Sequence, residues 1–221
     1  MAAVSNIHPG TIVSHSKTER LINEINKLSP DLVLIAGDII DDNIKVVKHK
    51  KLLKHFKDLS PKYGIYACPG NHEYISRANH DFEYFAQYGI NFLKDSVITI
   101  DNQFVLIGKD DIANPKADTT EFLKSLPEET DFSLPVIFMN HQPYNLPETA
   151  KYPIDFQLSG HTHRGQVWPL NLLTSLIFEQ DWGYLKKEDT HFYISSGYGT
   201  AVLPMKIGSP SEIIDLRITN K

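Results

Sequence analysis

Ser159-Gly160-His161-Thr162-His163 follows Ile154-Asp155-Phe156-Gln157-Leu158, an apolar-rich run that reads as a strand. Gly160 allows the backbone to turn sharply and to approach whatever the two rings bind. Neutral imidazole is the commonest metal ligand among side chains. Two histidines at a strand end also suit an ordinary surface turn, so the decision comes from the rest of the chain.

Working outward, the same arrangement recurs. Ala2 to Ile7 reads as a strand ending at Asn6 and His8. Leu32 to Ala36 is a continuous apolar run, as expected for a strand covered on both faces, and it ends at Asp38 and Asp41. Gly64 to Cys68 ends at Asn71 and His72, and Pro135 to Met139 ends at His141. In open α/β sheets the crevice beyond the strand ends is where ligands bind. Turn chemistry accounts for Asn, Asp and Gly at such points. It does not account for five of the ten histidines.

Helical spacing of Leu21, Ile22, Ile25 and Leu28 predicts a helix over 16–28, with Ser16 or Thr18 as its cap. A basic amphipathic helix is predicted over 46–59, with Val47, Leu52, Leu53 and Phe56 inward and its lysines on a solvated face. Further helices are expected over 76–88 and 119–126. Strands are expected near 97–100 and 104–107 with a turn at Asp101-Asn102, and near 191–195 and 212–218. Strands alternate with helices early and cluster late, which favours an α/β core with mixed sheets.

The chain has 221 residues, 41% hydrophobic and 22% charged, with a net charge of −5. This is ordinary for a globular protein and long enough to bury a substantial core. No global basic field invites nucleic acid. The single cysteine excludes an internal disulfide framework, and Cys68 reads as a small buried apolar residue. No apolar run approaches the ~18 residues of a membrane span, and no signal peptide is present, so the chain itself reads as soluble.

Four motifs resemble those of the calcineurin-like metallophosphoesterase superfamily: Gly37-Asp38-Ile39-Ile40-Asp41, Gly70-Asn71-His72-Glu73, His141-Gln142-Pro143 and Gly160-His161-Thr162-His163. A fifth is present as Asn6-Ile7-His8, with Asn where the superfamily has Asp. Pro30-Asp31-Leu32-Val33, Gly165-Gln166-Val167-Trp168-Pro169 and Ser211-Glu212-Ile213 look like a bacterial subgroup whose members are often membrane-anchored. Its catalytic domain commonly follows transmembrane helices. Met1-Ala2-Ala3 leads abruptly into the first motif, so residues 1–221 are expected to be one catalytic domain lacking upstream sequence. The parent protein would be membrane-anchored on a face the sequence does not name.

The resemblance implies an α/β (α+β) fold, a four-layer sandwich of two mixed sheets flanked by helices, with a dinuclear metal centre at the strand ends. Carried over by motif, one ion takes Asn6, His8, Asp38 and His163. The other takes Asp38, Asn71, His141 and His161, so Asp38 bridges both. His72 faces the leaving group and Asp41 orients it. Two ions ~3.5–4 Å apart clamp the attacking and leaving oxygens of a phosphoryl transfer and activate a water between them. Mixed N/O ligands favour Mn, with Fe, Zn or Co as alternatives. The implied activity is hydrolysis of a phosphodiester or pyrophosphate, nucleotide-linked or lipid-linked. A monoesterase and a low-activity metal-binding scaffold, as in the vacuolar-sorting relatives, are the alternatives.

Three departures bear on this. Asn6 carries no charge and should weaken the first site. Asn140 stands where Asp is common. Arg164 stands where the subgroup has Gly, either as a surface residue or as a phosphate contact. The segment from Val167 to Leu185 is apolar and aromatic. It reads either as core or as an apolar wall that meets a lipid tail or bilayer surface.

Overall fold

The computed structural model describes residues 1–219, and positions 220 and 221 of the expected domain lie outside the described residues. The strands are β1 (Ala2–Val4), β2 (Val33–Ala36), β3 (Ile65–Cys68), β4 (Ile90–Phe92), β5 (Ser96–Ile100) and β6 (Phe104–Gly108). They continue as β7 (Val136–Met139), β8 (Phe156–Ser159), β9 (Gly183–Lys187), β10 (Thr190–Ile194) and β11 (Ile214–Asp215). The helices are α1 (His15–Lys27), α2 (Ile44–Lys50), α3 (Asn71–Ile75), α4 (Phe82–Ala86), α5 (Thr119–Lys124), α6 (Leu146–Thr149) and α7 (Leu170–Ile177).

Two mixed sheets form. The first has the order β11-β1-β2-β3-β4, with β1 to β4 parallel and β11 antiparallel. The second has the order β5-β6-β7-β8-β10-β9, with parallel pairing from β6 through β10 and an antiparallel strand at each edge. Alternation along a strand sends successive side chains to opposite faces. In β2, Val33 and Ile35 pack with Leu21, Ile22 and Ile25 of α1. Leu34 and Ala36 pack instead with Cys68, Leu106, Ile137, Met139 and Leu158 between the sheets. The outer face of the second sheet carries Val105, Ile107, Val136 and Phe138 against Leu123 of α5. The layers therefore run helix, sheet, sheet, helix, as expected. Cys68 is fully buried in the middle.

Several elements differ from the sequence expectation. The helix expected over 46–59 is α2 followed by a 3-10 turn at Lys54–Asp58, because Lys51 adopts a left-handed conformation (φ 50°). Its inward set, Val47, Leu52, Leu53 and Phe56, is buried regardless. The helix expected over 76–88 is reduced to α4, because Arg77 turns left-handed (φ 61°); α3 precedes the expected span. The N-cap of α1 is Ser14, and its side chain makes no capping bond. Strands β4 and β9 have no counterpart in the sequence reading. The β5–β6 hairpin turns as expected, with Asp101 and Asn102 both at positive φ.

Candidate metal centre

The parallel strands β1, β2, β3, β7 and β8 deliver their C-terminal ends to one edge of the sandwich. There the chain leaves the sheet through tight turns. Asn6 (φ 49°), His8 (φ 52°), Asp38 (φ 53°), His161 (φ 68°) and His163 (φ 49°) are all left-handed non-glycine residues. Such backbones cluster at functional sites, where surrounding structure holds them against their cost.

Around Asp38, four side chains converge. Asp38 Oδ2 lies 3.2 Å from His141 Nε2. His141 Nε2 lies 3.2 Å from Asn71 Oδ1, which lies 2.9 Å from His161 Nδ1. Ligand atoms at ~2.0–2.2 Å from one ion stand about this far apart. His141 Nδ1–H donates to the Ala36 carbonyl at 2.7 Å, so Nε2 is the nitrogen that would ligate once its own proton is displaced. Burial keeps the pKa of His161 low, about 4, with the His141 charge adding to the effect, so its ring is neutral. Burial opposes charge on Asp38, but His141, His8 and His72 outweigh it and hold the carboxyl well below its usual range. These four residues fit a divalent ion.

The second group is less uniform. His8 Nε2 lies 3.1 Å from His163 Nε2 and 3.6 Å from Asp38 Oδ2. Asn6 stands beside this group, but its oxygen is turned toward the His161 backbone. Oδ1 accepts the backbone N–H of His161 at 3.0 Å, and Nδ2 points at His163 Nε2 at 2.9 Å. Three donors for an ion are present and the fourth position presents N–H groups, so these residues do not fit as a complete ligand set.

Beside both groups, His72 Nδ1 contacts Asp41 Oδ1 at 2.9 Å, an ion pair rather than an aligned hydrogen bond. Burial would lower the pKa of His72, but the contact with Asp41 and the charge of Asp38 raise it overall. The ring is also half-buried and edge-on to His8, with centroids 4.5 Å apart. Arg164 does not reach the ligand atoms. Its guanidinium lies over the Trp182 ring, 4.0 Å from the centroid. Asn140 is buried beside His141.

Two supports escaped the sequence reading. Glu73 is fully buried and its carboxylate accepts backbone N–H groups from Gly70, Asp38, Ile39 and Ile40. Burial and the Asp38 charge push its pKa up to about 7 against those donors. Asp111 holds the Gln142 amide at 2.9 Å, next to His141. The signal for Glu73 was its place in Gly70-Asn71-His72-Glu73. Nothing local marked Asp111.

Residues 2–165 match the family profile of the calcineurin-like phosphoesterases. The chain belongs to that family. Calcineurin-like phosphoesterases are phosphate-ester hydrolases dependent on two divalent metals. An uncharacterised metallophosphoesterase of Helicobacter pylori is 30% identical over 99% of this chain, which spans 59% of that protein's length. A Danio rerio protein named as a transmembrane protein with a metallophosphoesterase domain is also 30% identical, over 98% of this chain and 52% of its own. The crystal structure of a 5′-nucleotidase precursor from Thermus thermophilus has the same fold. It superposes with a TM-score of 0.52 at 13% identity, over 87% of this chain and 47% of that one.

Against the metal edge lies the apolar segment. Phe178 sits between Tyr144 and His161, tilted against the first ring and edge-on to the second, with centroids 5.1 and 6.1 Å away. No residue of α7 is buried, and Leu176 is 83% exposed. Packing in the core is therefore not what this helix does. A bridge between Val167 and Ile207 sets α7 beside a second exposed apolar stretch containing Val202, Leu203 and Met205. Among the described residues, no helix is long and apolar enough to cross a membrane.

Proposed function

We propose that this chain is the catalytic domain of a metal-dependent phosphohydrolase acting on phosphodiesters or pyrophosphates. The observation that carries the reading is the convergence of Asp38, Asn71, His141 and His161 beside the His72–Asp41 pair. When bound by those four residues, a divalent ion supplies a water nucleophile near neutral pH and offsets charge on the phosphoryl oxygens. Mn is the favoured ion, and Fe, Zn or Co suits the same donors.

His72 is the leaving-group acid. Asp41 holds its Nδ1 side, which turns Nε2–H toward the departing oxygen. Proton donation of this kind is worth ~10² to 10⁴-fold. Asp41 orients the ring and favours its protonated form. Arg164 is read as a phosphate contact, because stacking on Trp182 leaves the edges of its planar fork free to donate.

The substrate is read as lipid-linked. Exposed apolar α7 lies next to the catalytic edge, where it would meet an acyl chain or the bilayer surface. The transmembrane name of the Danio rerio relative agrees with a membrane-anchored parent.

Hydrolysis of bis-p-nitrophenyl phosphate with added Mn tests the activity, with p-nitrophenyl phosphate as the monoester control. A scaffold role is the competing reading, and Asn6 is the observation that favours it. Folded, metal-loaded protein that turns over neither ester with any divalent ion would support the scaffold instead.

A further inference from the structure

The two halves of the metal edge are unequal, and Asn6 is the cause. Its Oδ1 accepts the His161 N–H at 3.0 Å. A peptide N–H can only donate, so the oxygen must face it. The remaining amide group, Nδ2–H2, is then directed at His163 Nε2, 2.9 Å away. Turning the amide by half a rotation would set donor against donor at His161. It would also leave that N–H without a partner.

Moving the side chain away is blocked. Asn6 is fully buried. Gly160 packs so closely that a Cβ there would lie 2.3 Å from Asn6 Oδ1, and a Cβ on Gly197 would lie 2.7 Å from Asn6 Cβ. The amide is held by backbone on both sides. An aspartate here would accept from His161 with one oxygen and offer the other to an ion. The amide meets the first demand and fails the second, because it presents the positive end of its dipole where a cation would sit.

We infer that this chain holds a single divalent ion, between Asp38, Asn71, His141 and His161, and that the Asn6 amide takes the place of the second. The hydrogen bond from Asn6 Nδ2 to His163, with His8 Nε2 at 3.1 Å, replaces ion ligation and keeps the rings in register. The inference rests on reading this edge as a metal centre. His163 and His8 are in this account positioning residues rather than ligands.

Elemental analysis after Mn loading and desalting tests it, together with Mn electron paramagnetic resonance. The expected result is one Mn per chain with an isolated-ion spectrum, retained in His163→Ala and lost in His161→Ala. Asn6→Asp is expected to hold two, with a spin-coupled spectrum. Two Mn per wild-type chain would overturn the inference and leave the metal-centre reading intact. So would an ion retained in His161→Ala and lost in His163→Ala. No Mn in folded wild type or folded Asn6→Asp would remove the metal-centre reading itself, and the inference with it. Should Asn6→Asp fail to fold, the wild-type stoichiometry decides alone.

Discussion

Glu73 accepts the backbone N–H of Asp38 at 3.0 Å, and so ties the turn after β2 to the start of α3. The same carboxylate holds Ile39 at 2.8 Å and Gly70 at 2.7 Å. Asp38 is thereby aimed through its backbone by a residue that contacts none of the candidate ligand atoms. Glu73→Gln would keep one acceptor oxygen and turn an NH2 toward two backbone donors. A buried donor left without a partner costs about 1–3 kcal/mol, so with two such donors the variant should lose about 2–6 kcal/mol. Urea unfolding measures this. A loss well below 1 kcal/mol would contradict the role given to Glu73.

Burial lowers the pKa of His141, but the Asp38 charge and hydrogen bond raise it to about 9, above the ordinary imidazole value. In metal-stripped protein this pair contributes stability that is complete below the unfolded value and lost as pH rises through about 9. An ion at Nε2 must displace that proton. Calorimetric Mn titrations near neutral pH should therefore release about one proton per ion, seen as dependence on buffer ionisation enthalpy. Stripped protein should lose thermal stability as the pH is raised toward 9. Buffer-independent heats would contradict the assignment.

Gly37 sits at φ +75°, and a Cβ there would lie 2.3 Å from His141 Nδ1 and 2.9 Å from the Gly70 backbone. Gly37→Ala should push His141 off the Ala36 carbonyl. A stability loss of about 2 kcal/mol or more is expected, with at least ten-fold weaker Mn retention. Wild-type melting and metal content would show the crowding to be harmless.

Leu173 and Ile177 are each more than half exposed on α7. Burying side chains of this size contributes about 1.5–3 kcal/mol each. Leu173→Asp with Ile177→Asp should lower liposome binding at least ten-fold and leave hydrolysis of a soluble diester unchanged. Sedimentation with vesicles reads this, and unchanged binding would remove the bilayer contact.

How much of this the sequence carried depends on the range of each cause. The ligand-bearing strand ends were legible because each is an apolar run stopped by a turn with metal-type residues, as in Ile35-Ala36-Gly37-Asp38. Left-handed Lys51 and Arg77 were not, since neither residue type signals that backbone and tertiary packing imposes it. For α7, the apolar pattern was plain, but periodicity does not reveal what covers a face. The substitution at Asn6 was visible at once. Which end of its amide faces His163 was not, because His161 N–H, 155 positions away, decides it.

In the proposed reaction, a metal held by Asp38, Asn71, His141 and His161 works with His72 as leaving-group acid. The most direct test compares Mn-dependent hydrolysis of two diesters, one releasing p-nitrophenolate and one releasing an alkoxide. Asn71→Ala should abolish both. His72→Ala should slow the alkoxide substrate by about 10² to 10⁴-fold and the nitrophenolate far less, since a good leaving group needs no proton. Equal losses on the two substrates, or turnover that survives Asn71→Ala, would contradict the account.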